Sequence, residues 1–304
     1  MFEPLDEAQE LPPPLRRRRW PTRLRLGVRV AVLAAVVGMF LIGLDGCFYF
    51  PSDRLHYTPG QFGLSFETVS FTAADGVRLS GWWLPAKSER VRGTVIHFHG
   101  NAENKSNHVA LVPWLPPRGF HVLVWDYRGY GDSEGRVTRA GTIRDGHAAL
   151  DYVLSRPDVD RSRVFVLGQS LGGAVATVVA AERPEIAAVV VDSSFDSYRN
   201  IAARHLQRTL PVPVLTRWLA QALLSGDYEP RDYVARISPR PLLVIAAPED
   251  TICFADLGRA LYDAAGEPRR FLLLSRGAHL EPLISNIDDV QEQIARFFED
   301  AVKR

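Results

Sequence analysis

The stretch VFVLGQSLGGAVATVVAA, residues 164–181, decides how the rest of the chain is read. It opens on a charge-free apolar run, passes a serine set between glycines, and continues in small and apolar residues. The first part has the pattern of a strand buried on both faces and the last part that of a buried helix. Between them lies G-x-S-x-G. A nucleophile on a sharp strand-to-helix turn needs small neighbours, here Gly168 and Gly172, so that strand and helix can approach. Gln169 and Ser170 occupy the turn itself. The start of the helix also brings backbone N–H groups close to the serine. A tight packing turn without chemistry would use the same residues, so the surrounding chain has to supply the partners a serine needs.

Seven further apolar runs share the strand pattern. FETVSF and VRLSGWWL flank the turn signal Asp75-Gly76 and read as a hairpin. TVIHFHG, HVLVWDY, AAVVVDS, LLVIAAP and RFLLLS are short, continuous and rich in β-branched residues or leucine. Amphipathic stretches such as TRAGTIRDGHAALDYVLSR and FADLGRALYDAAG separate most of them. Repeating βα units of this size predict a mostly parallel, doubly wound, eight-stranded sheet over residues 60–304. The rhythm breaks at residues 196–240, too long for a simple crossover. This segment reads as a small helical cap inserted above the sheet.

Composition narrows the function. The chain has 304 residues, with 36 basic and 35 acidic side chains. Seven of the basic residues, all Arg, and five acids lie in residues 1–47. The remainder is near neutrality and has no basic footprint for nucleic acid. Two cysteines, Cys47 and Cys253, cannot build a disulfide framework or a Cys-rich metal site. His97 and His99 form an H-x-H pair, but no ligand cluster follows at metal spacing, and a strand interior accounts for both. No metal or cofactor is expected.

Residues 1–25 read as a disordered, increasingly basic N-terminus. Residues 26–50 read as a membrane anchor or signal segment. Arg16–Arg19 and three more Arg precede VAVLAAVVGMFLIGL, residues 30–44, which carries no charge. A basic stretch followed by an apolar run inserts with its basic end on the cytoplasmic side. Fifteen residues make about 22 Å of helix, short of the roughly 20 residues of a full span. Continuation through DGCFYF gives a single-pass anchor. Reading LDGC as a cleavage box gives a lipoprotein with the lipid on Cys47, and a cleaved secretory signal is a third reading. All three put the main domain outside the cytoplasm. A buried core helix is the fourth, and the Arg cluster argues against it.

Catalytic groups of a parallel sheet collect at the carboxyl ends of strands. A serine needs a base, and only His205 and His279 follow Ser170. His205 falls in the cap, whereas His279 follows the last strand, in RGAHLEP, and is the expected base. The acid that orients it is expected at Asp250, after LLVIAAPE, with Asp192, one strand earlier, as its rival. An oxyanion needs a second N–H beside that of Leu171. The turn HFHGNAEN offers Asn101, with Ala102 as a fallback. Trp82, Trp83, Trp114 and Trp125 read as core or rim. Trp218, in the cap, is a candidate pocket residue but reads more simply as core or rim like the others.

HGNAEN, DYRGYGDSEG, GQSLGG, Asp250 and His279, in that order, resemble the α/β-hydrolase superfamily. FYFP after an N-terminal hydrophobic segment is similar to its membrane-anchored, serine-aminopeptidase-like branch. The resemblance implies an α/β-hydrolase fold with Ser170 as nucleophile, Asp250 as acid, His279 as base, and Asn101 with Leu171 at the oxyanion hole. The expected function is a membrane-tethered serine hydrolase acting on a small-molecule acyl ester or thioester, lipid-derived ones included given the membrane location. An acyltransferase, a peptidase or amidase, and a non-catalytic binding protein are the alternatives.

Overall fold

A computed structural model describes residues 45–303. Its strands are β1 (Phe50–Pro51), β2 (Glu67–Thr72), β3 (Arg78–Leu84), β4 (Gly93–Phe98), β5 (Ala102–Glu103), β6 (Phe120–Trp125), β7 (Val164–Gln169), β8 (Ala188–Asp192), β9 (Leu242–Ala246) and β10 (Arg269–Leu273). Its helices are α1 (Lys105–His108), α2 (Arg139–Ser155), α3 (Leu171–Glu182), α4 (Tyr198–Thr209), α5 (Pro213–Leu223), α6 (Ala255–Ala264), α7 (Glu281–Ser285) and α8 (Val290–Ala301).

Eight strands form one sheet in the order β10-β9-β8-β7-β4-β6-β3-β2. The pairs β2·β3 and β3·β6 are antiparallel and the other five are parallel. Every residue of β4, β6 and β7 is buried, which is why these segments read as unbroken apolar runs. One face of the sheet is covered by a core that includes α3 residues Val175, Val178 and Val179. The other is covered by a core that includes Val290, Ile294 and Phe298 of α8. The side chains of Thr138 and Ser197 accept hydrogen bonds from Gly141 N–H and Asn200 N–H, fixing the starts of α2 and α4.

Residues 196–240 carry α4 and α5 between β8 and β9. The start of the domain differs from the sequence reading. Residues 1–25, and 26–44 of the expected anchor, lie outside the described residues. Asp45–Phe50, read as the end of that anchor, belong to the folded domain, which reaches back beyond residue 60. Asp45–Phe48 form a 3₁₀ turn and Phe50–Pro51 pair in parallel with Ala102–Glu103. Tyr49 is buried, and the Asp45 carboxylate accepts from Arg139 at 2.6 Å and from Ser225 N–H at 3.2 Å. Among the described residues no helix is long and apolar enough to cross a membrane.

Candidate active site

Strand β7 delivers Ser170 to a strained backbone geometry, φ 53° and ψ −124°, at the N-cap of α3. The turn is held from both sides. Ser170 N–H donates to Asp192 O at 3.0 Å, and Ser194 Oγ–H donates to Ser170 O at 2.7 Å. Gly172 explains the motif. A Cβ there would lie 2.1 Å from Phe98 O and 2.4 Å from His99 O, so α3 and the end of β4 approach too closely for any side chain. Gly168 packs against the Gly172 carbonyl and the Gly173 backbone in the same way.

His279 stands after β10 and Asp250 after β9. The His279 Nδ1–H donates to Asp250 Oδ2 at 2.7 Å, and the other carboxylate oxygen accepts from Ile252 N–H and Cys253 N–H, both at 2.8 Å. Three donors hold the buried Asp250 side chain in one orientation, and the bond to Nδ1 leaves Nε2 free to face the serine side. The rival Asp192 is engaged elsewhere. It accepts from Gln169 Nε2 at 3.3 Å and from Ser193 Oγ at 3.1 Å, and burial pushes its carboxyl up to about 6. Gln169 in turn bonds His97 Nε2 at 2.5 Å. The elbow residue Gln169 thus ties β4, β7 and β8 together beneath the serine.

The turn at residues 99–102, expected to offer the oxyanion donor, is built on buried histidines. His99 Nδ1–H donates to Gly100 O at 2.8 Å, which fixes the peptide plane carrying the Asn101 N–H. In a trans peptide the N–H points opposite to the carbonyl, so this bond also sets its direction. Asn101 O accepts from Phe50 N–H at 2.8 Å and from Tyr130 Oη–H at 2.7 Å. These two bonds fix the next plane, which carries Ala102 N–H. His108 Nε2–H donates to Ala102 O at 3.0 Å, and His108 stacks on His99 with ring centres 5.2 Å apart. Burial holds His99 well below the usual imidazole range and lowers His108 to about 4, so both stay neutral at ordinary pH. Leu171 is the first residue of α3, and its N–H has no acceptor within the helix.

Ser170, Leu171 and Asn101 share a cavity of about 410 Å³. Its walls include Phe48 and Phe50 from the N-terminal strap, Phe195, Ile201 of α4, Ile252 and Cys253. The Cys253 thiol lies 3.7 Å from Ser170 Oγ, and burial pushes its pKa up, keeping it protonated. His205 also faces this cavity, with Nε2–H donating to Ile252 O at 2.9 Å. Trp82, Trp83, Trp114 and Trp125 are buried, and Trp218 is exposed. Sequence reading missed the strap, Cys253 and the positioning role of His99. For His99 the only signal was its place immediately before Gly100.

The arrangement has relatives. Residues 89–231 match the family model described as serine aminopeptidase, S33. YfhR of Escherichia coli O157:H7 is 38% identical over 261 residues, covering 84% of this chain and 87% of that protein. The alpha/beta hydrolase domain-containing protein WAV2 of Arabidopsis thaliana is 35% identical over 147 residues, 48% of each chain. Among solved structures, an esterase of Pyrococcus furiosus, Pf2001, superposes with a TM-score of 0.69 at 22% identity, covering 83% of this chain and 98% of its own. Both the mostly parallel sheet with a serine elbow after β7 and these similarities lead to one assignment: the chain belongs to the α/β-hydrolase superfamily.

Proposed function

We propose that the protein is a membrane-tethered serine hydrolase that cleaves a small acyl ester or thioester through an acyl-enzyme. The observation that carries this reading is the Asp250–His279 hydrogen bond at the carboxyl edge that also bears Ser170. Ser170 Oγ attacks the acyl carbonyl while His279 Nε2 takes its proton. The N–H groups of Leu171 and Asn101 stabilise the oxyanion. Collapse expels the alcohol or thiol, which receives the proton from His279. Water, deprotonated by His279, then attacks the acyl-enzyme, releasing the acid and restoring Ser170. The largely apolar cavity favours an acyl chain over a peptide.

Tethering rests on the Arg cluster and the charge-free run at residues 30–44, with the catalytic domain on the extracytoplasmic side. The packing of Asp45 favours the uncleaved anchor over a lipoprotein. Cleavage before Cys47 would remove the carboxylate paired with buried Arg139, leaving that guanidinium with Ser225 O, Ser225 Oγ and Asp227 O as acceptors.

Labelling with a fluorophosphonate probe tests the reaction. Wild-type protein should label and Ser170→Ala should not. Equal labelling of the two, or none of the wild type, would overturn the mechanism. A reporter active only outside the cytoplasm, fused after Arg304, tests the topology, and a silent reporter rules out the outward-facing arrangement.

A further inference from the structure

Six of the fourteen exposed large apolar side chains among the described residues lie within thirteen consecutive positions of the cap. Leu206 and Leu210 of the α4 end, Val212 of the connection, and Val214, Leu215 and Trp218 of α5 are all exposed. Val214 is 82% exposed and Trp218 55%, too much for residues that pack against their own domain. They stand four residues apart on α5 with Leu215 beside them, so they share one helix face. Thr216 and Ala220, on the other face, are buried, and Ala220 packs with Ala203 of α4. A contiguous apolar face of this kind marks an interaction surface.

Two further observations choose the occupant. The first is charge. Exposed Arg217 stands on α5 beside the apolar residues. Arginine and tryptophan around an aliphatic face suit the headgroup boundary of a bilayer with anionic lipid. The second is where the chain enters the domain. The apolar run 30–44 ends one residue before Asp45. The Asp45 carboxylate accepts from Ser225 N–H, two residues beyond the end of α5. Eleven residues of α5 span about 16 Å. Asp45 is thus bonded just beyond the C-terminal end of the helix that carries the exposed face, with Val214 at the other end. The same cap walls the cavity through Ile201, Ala202 and His205, and exposed Phe50 and Ile252 complete that wall.

We propose that the α4–α5 face of the cap is a lipid-docking surface, seated in the headgroup–acyl boundary, through which the cavity receives a substrate carried in the bilayer. This rests on the tethered-hydrolase reading and adds to it the source of the acyl chain.

The test uses the full chain in phosphatidylcholine vesicles containing phosphatidylglycerol. Val214 and Trp218 are replaced, one at a time, by photoreactive p-benzoylphenylalanine, with exposed Glu267 as the control position. Lipid adducts at 214 and 218 but not at 267 are expected. Equal yields at all three positions overturn the proposal. A cross-linked dimer without lipid adducts also overturns it and assigns the face to a second copy. This readout needs no turnover, so it stands apart from Ser170 labelling. A second arm uses Val214→Asp combined with Trp218→Asp. Hydrolysis of a long-chain ester embedded in the vesicles should fall about tenfold, and that of a water-soluble short-chain ester should hold. Equal loss on both substrates, or none on either, contradicts docking.

Discussion

Gly172→Ala is the sharpest perturbation of the elbow, because the added methyl meets backbone on both sides. It would lie 2.1 Å from Phe98 O and 2.4 Å from His99 O, where real Cβ contacts are essentially never under 3.0 Å. Neither oxygen can rotate away, since both belong to the chain running from β4 into the oxyanion turn. The start of α3 and that turn must therefore separate by about 1 Å. Overpacking of this kind costs about 1–3 kcal/mol, and in a domain of this size 1 kcal/mol lowers Tm by roughly 2–4 °C. The same movement pulls Leu171 N–H away from Asn101 N–H. Misplacement by about 1 Å can cost on the order of 100-fold in rate. The expected result is a loss of about 100-fold in kcat for a short p-nitrophenyl ester, a small change in KM, and a lowered Tm. Gly258→Ala in α6 is the comparison, because its methyl would make only ordinary contacts, 3.5 Å from Ala246 Cβ and 3.7 Å from Ser194 O. It should leave kcat and Tm close to wild type. A Gly172→Ala enzyme within threefold of wild-type kcat and with unchanged Tm would refute the account of the elbow.

Asp250→Asn should lower kcat by roughly 10³–10⁴-fold through loss of imidazole orientation, whereas Asp192→Asn should cost less than tenfold; steady-state kinetics with the reverse ranking would exchange their roles. Asp192 also makes a prediction about pH. Burial raises its carboxyl from 3.8 to about 6, so the folded state holds the proton more tightly. The resulting stabilisation is full below about 3.8 and lost as pH rises through about 6. Relative to wild type, Asp192→Asn should gain about 1–1.5 kcal/mol between pH 5 and pH 8; a pH-independent difference in urea denaturation would rule this out. Phe48→Ala should move the preferred substrate toward longer acyl chains and lose about tenfold in kcat/KM on the wild-type optimum, from roughly 1.5 kcal/mol of lost apolar contact. An unchanged chain-length profile would remove Phe48 from the substrate wall. Phe50→Pro deletes the N–H that donates to Asn101 O and leaves Tyr130 as the remaining donor described above. A loss of about tenfold in kcat is expected, and wild-type kcat would show that the strap does not position the turn.

Much of the architecture was legible because it follows from periodicity. Strands buried on both faces read as unbroken apolar runs, and β4, β6 and β7 are the clearest cases. Carboxyl ends of such strands can be located from the runs alone, which brought Ser170, Asp250 and His279 forward as candidates. Which acid meets His279 was not legible to the same degree. Asp192 and Asp250 both end strands, and adjacent strands offer similar positions until side chains choose partners. DYRGYGDSEG was recognisable as a motif without its physical content. Asp126 pairs with buried Lys105 at 2.7 Å behind the oxyanion turn, and Arg128 bridges Asp145 and Asp75. These are contacts between residues 17 to 53 positions apart. FYFP misled for a simpler reason. Aromatic residues look alike in sequence whether they are buried in lipid or against the chain's own domain, and here Tyr49 takes the second course.

The strap also defines what a shed form of the protein could be. Its hydrogen bonds run to the oxyanion turn, and Phe48 and Phe50 stand in the cavity wall. On the proposed tethering, a protease cutting before Asp45 would release the domain with the cavity around Ser170 whole. A cut between Pro51 and Gly60 would free a body of nearly the same size, but without the two aromatic walls, the Phe50 N–H at Asn101 O, and the carboxylate beside Arg139. The seven residues Asp45–Pro51 therefore separate the two products, and the natural boundary of the folded unit lies on the N-terminal side of the strap.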